Sequence, residues 1–328
     1  MGEASKALPS AEWVRDLLRS SSALPYDYYP EVTAEERLEY ALRQTMSSVE
    51  SPSAHCAVID HEDRQGLAVT VPLAWDSDVL GVPAGRVTVF MFSGVDQETT
   101  IKVSGELACS VRGQIDELSL QHVSVRLDAR ELLAAQTLER AGFEIVDGIL
   151  KFSHALDGTP LAPTDLPGIQ IREATKADIP KLRALAESGF IYDRFHNDPR
   201  LSKETSDRLH GIWTENAVRG KTGAGVLVGE VDGEVGGFFI LAEDKLAKEV
   251  FGKSVGTLVL ITVGKAYRRR GLAKALSRES LRWLQARGNR WGEVGTQLAN
   301  TPASSVYLAA GFRMAQTSLS LRYWSPGA

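Results

Sequence analysis

Residues 257–263, Thr-Leu-Val-Leu-Ile-Thr-Val, form an unbroken apolar run that reads as a fully buried strand, and a helical pattern opens at Gly271. The turn between them, Gly-Lys-Ala-Tyr-Arg-Arg-Arg, ends in three consecutive arginines at 268–270. A helix start carries unsatisfied N–H groups and the positive end of the helix dipole, so a strand feeding one through a short turn makes an anion cradle. Gly271 lets a ligand approach the backbone closely, Ala273 is too small to obstruct it, and the arginines match phosphate charge. The three spaced glycines of a dinucleotide fingerprint are missing here, as is the Gly-Lys-Ser/Thr of a Walker loop. The pattern points to a pyrophosphate held by another kind of loop.

Charge distribution agrees with this placement. The formal net charge of −5 conceals an asymmetry: residues 1–165 hold 13 Lys/Arg against 26 Asp/Glu, a net of −13, and residues 166–328 hold 24 against 16, a net of +8. An anionic ligand is expected in the C-terminal half. No apolar run approaches the roughly 20 residues that span a bilayer, and the opening "MGEASKALPS" lacks the basic and then apolar pattern of a secretion signal. A cytoplasmic protein with no membrane partner is expected. The two cysteines, Cys56 and Cys109, are too few for a disulfide framework and fit a reducing compartment.

Along the chain, residues 1–53 read as a helical arm, with Trp13, Val14, Leu17 and Leu18 on one face and Thr33 with Glu36 as a capping box. Residues 54–153 alternate short β-branched runs with a helix ending at Gly142, which gives a first α/β or α+β domain. The stretch 154–168 has three prolines and two glycines and is the best linker. Residues 169–325 form a second domain: a strand, a helix after Thr175, a polar loop at 192–206, a helix near 205–219, a hairpin turning at Asp232-Gly233, the buried strand, the arginine loop with its helix, and a strand–helix–strand ending. The segments "TLERAGFEIVDGILKF" (137–152) and "VYLAAGFRMAQTSLSLRY" (306–323) both read helix, Ala-Gly-Phe, strand, which suggests a duplication.

Arg268-x-x-Gly271-x-Ala273 behind "LVLITV" resembles the acyl-coenzyme A loop of the GCN5-related N-acetyltransferase (GNAT) family, and Asn300, Tyr307 and "AAGFR" follow in that family's order. A narrower likeness covers most of residues 68–324: "PLAWDSDVLGVPAGRV", "DRFHNDPRLS" and "VGTQLANTPASSVYLAAGF" are similar to the dTDP-4-amino-4,6-dideoxygalactose N-acetyltransferases. The resemblance implies an α/β (α+β) chain of tandem GNAT-like domains, each a mixed, mostly antiparallel sheet flanked by helices. The first is degenerate, lacking the loop, and the second is catalytic.

It further implies an acyl-CoA, most often acetyl-CoA, as donor, and a small-molecule or nucleotide-linked amine as acceptor. Cofactor contacts are expected from Ile261, Thr262 and Val263, where the strand should splay after Val263, from Arg268, Arg269, Arg270, Gly271, Leu272 and Ala273, and from Asn300. Arg268 and Arg270 are the expected phosphate contacts, with Arg269 facing solvent. Asn300 stands before Thr301-Pro302 and also reads as a plain helix cap. Tyr307 is the expected general acid, since an ordinary tyrosine pKa of about 10 keeps its proton at neutral pH. Tyr192, Arg194, Phe195, His196 and Asp198 belong by the resemblance to the acceptor side.

His196, Glu215 and Glu230 are candidate bases, although an amine can also lose its proton through water. No metal is expected: His55, Asp60 and His61 flank a strand, and Asp76 and Asp78 read as a turn anchored by Trp75. Other readings keep the fold and change the acyl carrier to a carrier protein or a tRNA, turn the acceptor into a protein N-terminus, or make the chain a binding module. A homodimer is compatible with all of them.

Overall fold

The structure is a computed structural model that describes residues 8–164 and 166–326. Residues 1–7 of the expected arm and Asp165 of the expected linker lie outside the described residues. Two compact units are present, Met1–Gly148 with Ser318–Ala328, and Ile149–Thr317.

The first half of the chain runs through α1 (Ala11–Arg19), α2 (Ala34–Val49), β1 (His55–Asp60), β2 (Arg64–Pro72), α3 (Ala74–Leu80), β3 (Ala84–Gly94), α4 (Gln97–Glu117), β4 (His122–Asp128), α5 (Leu132–Arg140) and β5 (Glu144–Ala155). The second runs through β6 (Ile169–Glu173), α6 (Ile179–Gly189), α7 (Lys203–Val218), β7 (Gly225–Val231), β8 (Glu234–Asp244), α8 (Lys245–Phe251), β9 (Ser254–Val263), α9 (Leu272–Ala286), β10 (Asn289–Gln297), α10 (Thr301–Ala309) and β11 (Arg313–Trp324). The expected hairpin is there: Asp232 (φ 53°) and Gly233 (φ 83°) both take the left-handed conformation that a tight two-residue turn requires.

Each unit is a mixed, mostly antiparallel sheet flanked by helices. In the first, the order is β1-β2-β3-β4-β11, with β3 and β4 parallel and the other pairs antiparallel. In the second, it is β6-β7-β8-β9-β10-β5, with β9 and β10 parallel and the rest antiparallel. The units repeat one plan. A seven-residue helix stopped by a left-handed glycine, Gly81 in α3 and Gly252 in α8, precedes the strand that enters the parallel pair. A long helix, α4 or α9, crosses from that strand to its parallel neighbour, and a nine-residue helix, α5 or α10, leads to the closing strand.

The closing strands are exchanged. Although β5 follows α5, it pairs from Ile149 onward with β10 of the second unit. Likewise β11 follows α10, and from Ser318 it pairs with β4 of the first.

The arm is part of the first unit's core, where Val14, Leu17 and Leu18 of α1 and Leu38, Ala41 and Leu42 of α2 pack on Leu67, Val69 and Val89 of β2 and β3. Ser10 caps α1, and the reciprocal Thr33–Glu36 box caps α2. The other face of that sheet packs on α4 and α5 through Val87, Val123, Val125 and Leu127. In the second unit, α9 lies close on its sheet because glycines stand beneath it. A β-carbon on Gly229 would fall 2.6 Å from Leu272, and one on Gly256 would fall 2.3 Å from Leu284. Both ends of α9 are thereby seated on the strands, which fixes where its N-terminus points.

Candidate active site

The parallel neighbours β9 and β10 stay paired from Ser254/Asn289 to Leu258/Val294 and then part. Beyond that point β9 continues only with β8, up to Val263, and β10 only with β5. The splay therefore opens after Leu258, five residues earlier than the sequence led us to expect. Its cause is an extra residue: Leu241 pairs with Leu258 and Ile240 with Leu260, so Val259 bulges and bends β9 away from its neighbour. Ile261 and Val263 pack against the core beneath α9. Thr262, buried, lies against Gly189, where an added β-carbon would sit 2.0 Å from its Oγ1.

A 3-10 turn, Lys265–Tyr267, carries the chain out of β9. Arg268 then extends, Arg269 takes φ 62° and Gly271 takes φ 86°, so the loop coils over the start of α9. Gly271 occupies the N-cap position and supplies no side-chain cap, and the first helical bond runs from Ala275 N–H to its carbonyl. The N–H groups of Leu272, Ala273 and Lys274 are thus left without a capping side chain, beside three exposed arginines. Arg268 donates from Nε to the Val263 carbonyl (3.1 Å), and Arg270 pairs with Asp232 of the β7–β8 turn (2.7 Å). Arg269 is exposed. The start of α4 in the first unit is the opposite case. Asp96 accepts the Thr99 N–H, filling that helix start with a carboxylate, and Thr99 holds this carboxyl below its usual range.

Tyr307 is 2% exposed and sits between Phe152 and Phe312, both rings at 5.9 Å. Burial pushes its hydroxyl above the ordinary tyrosine value, so the phenol is held protonated. Asn300 caps α10, its Oδ1 accepting the Ala303 N–H at 3.3 Å. The cap uses the carbonyl end of the side chain and leaves the amide end for a ligand.

The loop at 190–202 is pinned to α7. Asp193 Oδ1 accepts the N–H of Phe195 and of His196, and its Oδ2 meets His196 Nδ1 at 2.5 Å. His196 Nε2 faces Asp207 Oδ1 at 3.0 Å, and Lys203 pairs with that same carboxylate. Phe195 is buried beneath Arg194, whose guanidinium lies 4.6 Å over its ring, and Asp198, also buried, accepts the Arg200 N–H. Tyr192, half-buried, gives its carbonyl to the Asn197 amide. Underneath, His210 stacks on Phe190 at 4.4 Å and bonds the Ser206 carbonyl, and burial lowers its pKa.

Asp193, His196 and His210 bring metal-ligand atoms within 4.8 Å of one another. Two ligands of one tetrahedral zinc stand roughly 3.4 Å apart, whereas the His196–Asp193 contact is 2.5 Å, the distance of a hydrogen bond. Of the remaining base candidates, Glu215 is paired with Arg183 and Arg219, and Glu230 with Arg172.

Residues 189–312 match the model of the acetyltransferase (GNAT) family. The second unit is a GNAT domain. Two relatives extend the likeness over both units. The chain is 25% identical over 258 residues to a dTDP-fucosamine acetyltransferase of Escherichia coli O6:H1, covering 77% of this chain and 95% of that protein. It is 23% identical over 304 residues to the spore coat polysaccharide biosynthesis protein SpsD of Bacillus subtilis, covering 90% and 97%. A GCN5-related N-acetyltransferase from Sphaerobacter thermophilus shares the fold, with a TM-score of 0.57 at 19% identity over 88% of this chain and 87% of that one. The chain is an N-acyltransferase that carries a GNAT domain at residues 189–312.

The GNAT family uses acyl-CoA, and the loop's donor set fits one. Uncapped amides, a left-handed glycine and flanking arginines are what a diphosphate requires, and no carboxylate caps this helix start. Sequence reasoning missed Asp193, Asp207 and His210, the anchors of the GNAT domain's 190–202 loop. The available signal was spacing: Asp193 lies one turn before His196, and Asp207 one turn before His210.

Proposed function

We propose that this protein transfers an acetyl group from acetyl-CoA to the amine of a nucleotide-linked amino sugar. The observation that carries the donor half is the glycine-capped start of α9, with its unfilled amides beside Arg268, Arg269 and Arg270. Leu272 and Ala273 complete that cradle as the first helical N–H groups. Support for the acceptor half comes from the dTDP-fucosamine acetyltransferase, whose likeness runs through both units.

Bound acetyl-CoA supplies an activated acyl carbon and a thiolate leaving group. The amides of Ile261 and Val263, on the strand edge exposed by the bulge at Val259, hold the donor's pantetheine arm, and Thr262 between them ties that stretch to β8. Asn300 reaches it with its amide nitrogen. Tyr307 keeps its proton at neutral pH and donates it toward the sulfur as the carbon–sulfur bond breaks and the carbon–nitrogen bond forms. Tyr192, Arg194, Phe195, His196 and Asp198 position the acceptor, held as a rigid loop by Asp193 and Asp207. Both His196 ring nitrogens face carboxylates, so the amine's proton leaves through water rather than to this ring.

The test is a reaction of the purified chain with acetyl-CoA and dTDP-4-amino-4,6-dideoxygalactose, followed by thiol release and by product mass. Thiol release in step with a product heavier by one acetyl group is expected. No thiol release with any amino-sugar nucleotide, together with no binding of coenzyme A, would overturn both halves.

A further inference from the structure

The first unit has no acyl-CoA cradle, yet it carries a second cationic site. Arg86 on β3 pairs in register with Ser124 on β4, and Arg126 stands two residues further along β4, so both arginines share one face, about 8 Å apart at Cα. Ser320 of β11 is directly opposite Arg126, and Arg322 is opposite Ser124, on that same face. It is the face away from Val87, Val123 and Val125, which point into the core beneath α4.

Neither Arg86 nor Arg126 hydrogen-bonds or ion-pairs with any described residue, and both are exposed. Ser320 is 1% exposed and its hydroxyl has no hydrogen-bond partner. Arg322 is paired with Glu144 (3.1 Å). Two adjacent guanidinium groups repel each other, and this occurs in the half of the chain with a net charge of −13. Although its side chain reaches solvent, the protein crowded around Arg126, and after that the neighbouring Arg86, hold it below the ordinary arginine value, with Asp147 offsetting part of this. A stretch that gains nothing for folding from two unpaired arginines and an unsatisfied buried hydroxyl is arranged for something that arrives later.

We propose that this face of the first unit binds a diphosphate group, with Arg86 and Arg126 as its cations and the Ser320 hydroxyl as a donor. Arginine forks match the paired oxygens of such a group, and two of them span its two phosphorus centres. The site deepens the acceptor reading and rests on it for the source: a nucleotide-linked amino sugar carries this group, whereas the acetyl donor's own diphosphate has its cradle at α9. It also gives a use to "GVPAGRV" (81–87), the part of the sequence that contains Arg86 and that acetyl transfer leaves unexplained.

The test is calorimetric titration of the full chain with inorganic pyrophosphate and with thymidine 5′-diphosphate, coenzyme A being present at saturation to fill the α9 loop. The wild type is expected to bind both, and Arg126→Gln and Arg86→Gln each to weaken binding at least tenfold while leaving coenzyme A affinity within twofold. Arg126→Gln is also expected to keep or raise the melting temperature, because it relieves a like-charge pair, and the exposed Arg86 provides a second variant that does not depend on folding. Unchanged affinity in both variants, or no binding by the wild type, overturns the site. Tighter binding of the nucleotide supports the acceptor as source, and equal binding of the two probes overturns that source. Pyrophosphate binding that depends on both arginines, in a protein that acetylates no amino-sugar nucleotide, would leave the site and remove the acceptor reading.

Discussion

Arg268 donates to the carbonyl of Val263 at 3.1 Å, tying the first arginine of the triplet to the last residue of β9. The two donor sets assigned to the acyl-CoA, the strand edge and the loop amides, are therefore fixed to each other by a side chain and not only by the short turn between them. A thioester positioned by one is positioned by both, which is where much of the advantage of holding reactants in place resides.

Gly271→Val tests the cradle. At φ 86° a β-branched residue costs about 1–2 kcal/mol, and its β-carbon would lie 3.1 Å from Leu166. Folding is expected to survive, and the rise in melting temperature that acetyl-CoA gives the wild type is expected to vanish. A full shift in the variant would show that the donor sits elsewhere.

Tyr307→Phe keeps the ring between Phe152 and Phe312 and removes only the hydroxyl. A fall in kcat of about 10²–10⁴, with KM for acetyl-CoA little changed, is the expected result. Because burial raises the Tyr307 pKa, the phenol stays protonated past the ordinary value of about 10. The alkaline limb of kcat due to this group should lie above that pH. In stability the same shift counts fully below about 10 and is lost as pH rises beyond it, when the unfolded chain ionises first.

The 190–202 loop should respond as a unit. Asp207→Asn replaces one carboxylate beside His196, and a loss on the order of 1.5–3 kcal/mol for a charged hydrogen bond corresponds to about tenfold or more. That loss is expected in KM for the acceptor, with acetyl-CoA affinity unchanged. A change in acetyl-CoA affinity alone would remove the loop from the acceptor side.

Mild acid should loosen the same loop. His210 has a folded pKa lowered chiefly by burial, so its contribution to stability is present above the unfolded value of about 6.5. That contribution is lost as pH falls from there toward the folded pKa, where the unfolded state binds the extra proton. Hydrogen-exchange protection of residues 190–210, taken relative to the intrinsic rate at each pH, should fall between neutral pH and pH 5, and His210→Phe should flatten the dependence.

Asp178 anchors the entry to α6. It takes two hydrogen bonds from Arg172, both at 2.9 Å, and the Thr175 N–H at 2.7 Å; Arg172, first of these partners, holds its carboxyl far below the usual range. Stability from this group is full above an unfolded pKa of about 3.9 and is lost as pH falls below it. Asp178→Asn should cost about 1–3 kcal/mol at neutral pH in a denaturant titration and somewhat less at pH 3, where the unfolded chain has begun to take up the proton while the folded carboxylate keeps its charge.

The strand, loop and helix of the proposed donor site were legible in the sequence because they are local. The strand, loop and helix of residues 257–286 are contiguous, and the period of their apolar residues switches from strand to helix at Gly271. The helix α4 was missed although it is the longest, since Thr99, Thr100, Gly105 and Gly113 give it poor helical propensity. Its evidence is a buried stripe, Val103, Leu107, Val111 and Ile115, spaced by four. The splay position depended on a one-residue bulge that hydrophobic pattern does not reveal. The pairing of His196 with Asp207 is non-local, and the placing of Arg86 and Arg126 on one face of a sheet follows only from strand register. The echo of helix, Ala-Gly-Phe and strand was readable, but which sheet each strand would join was not, because both strands carry the same alternation.

That exchange governs how the chain can come off the ribosome. The sheet of the first unit is not closed until residues 318–324 have been made, so its edge at β4 stays open while most of the second unit is synthesised. Cutting the gene between its two halves would yield two polypeptides that each lack their own last strand and carry the other's. Co-expressed, those pieces should find each other, and expressed singly, each should aggregate.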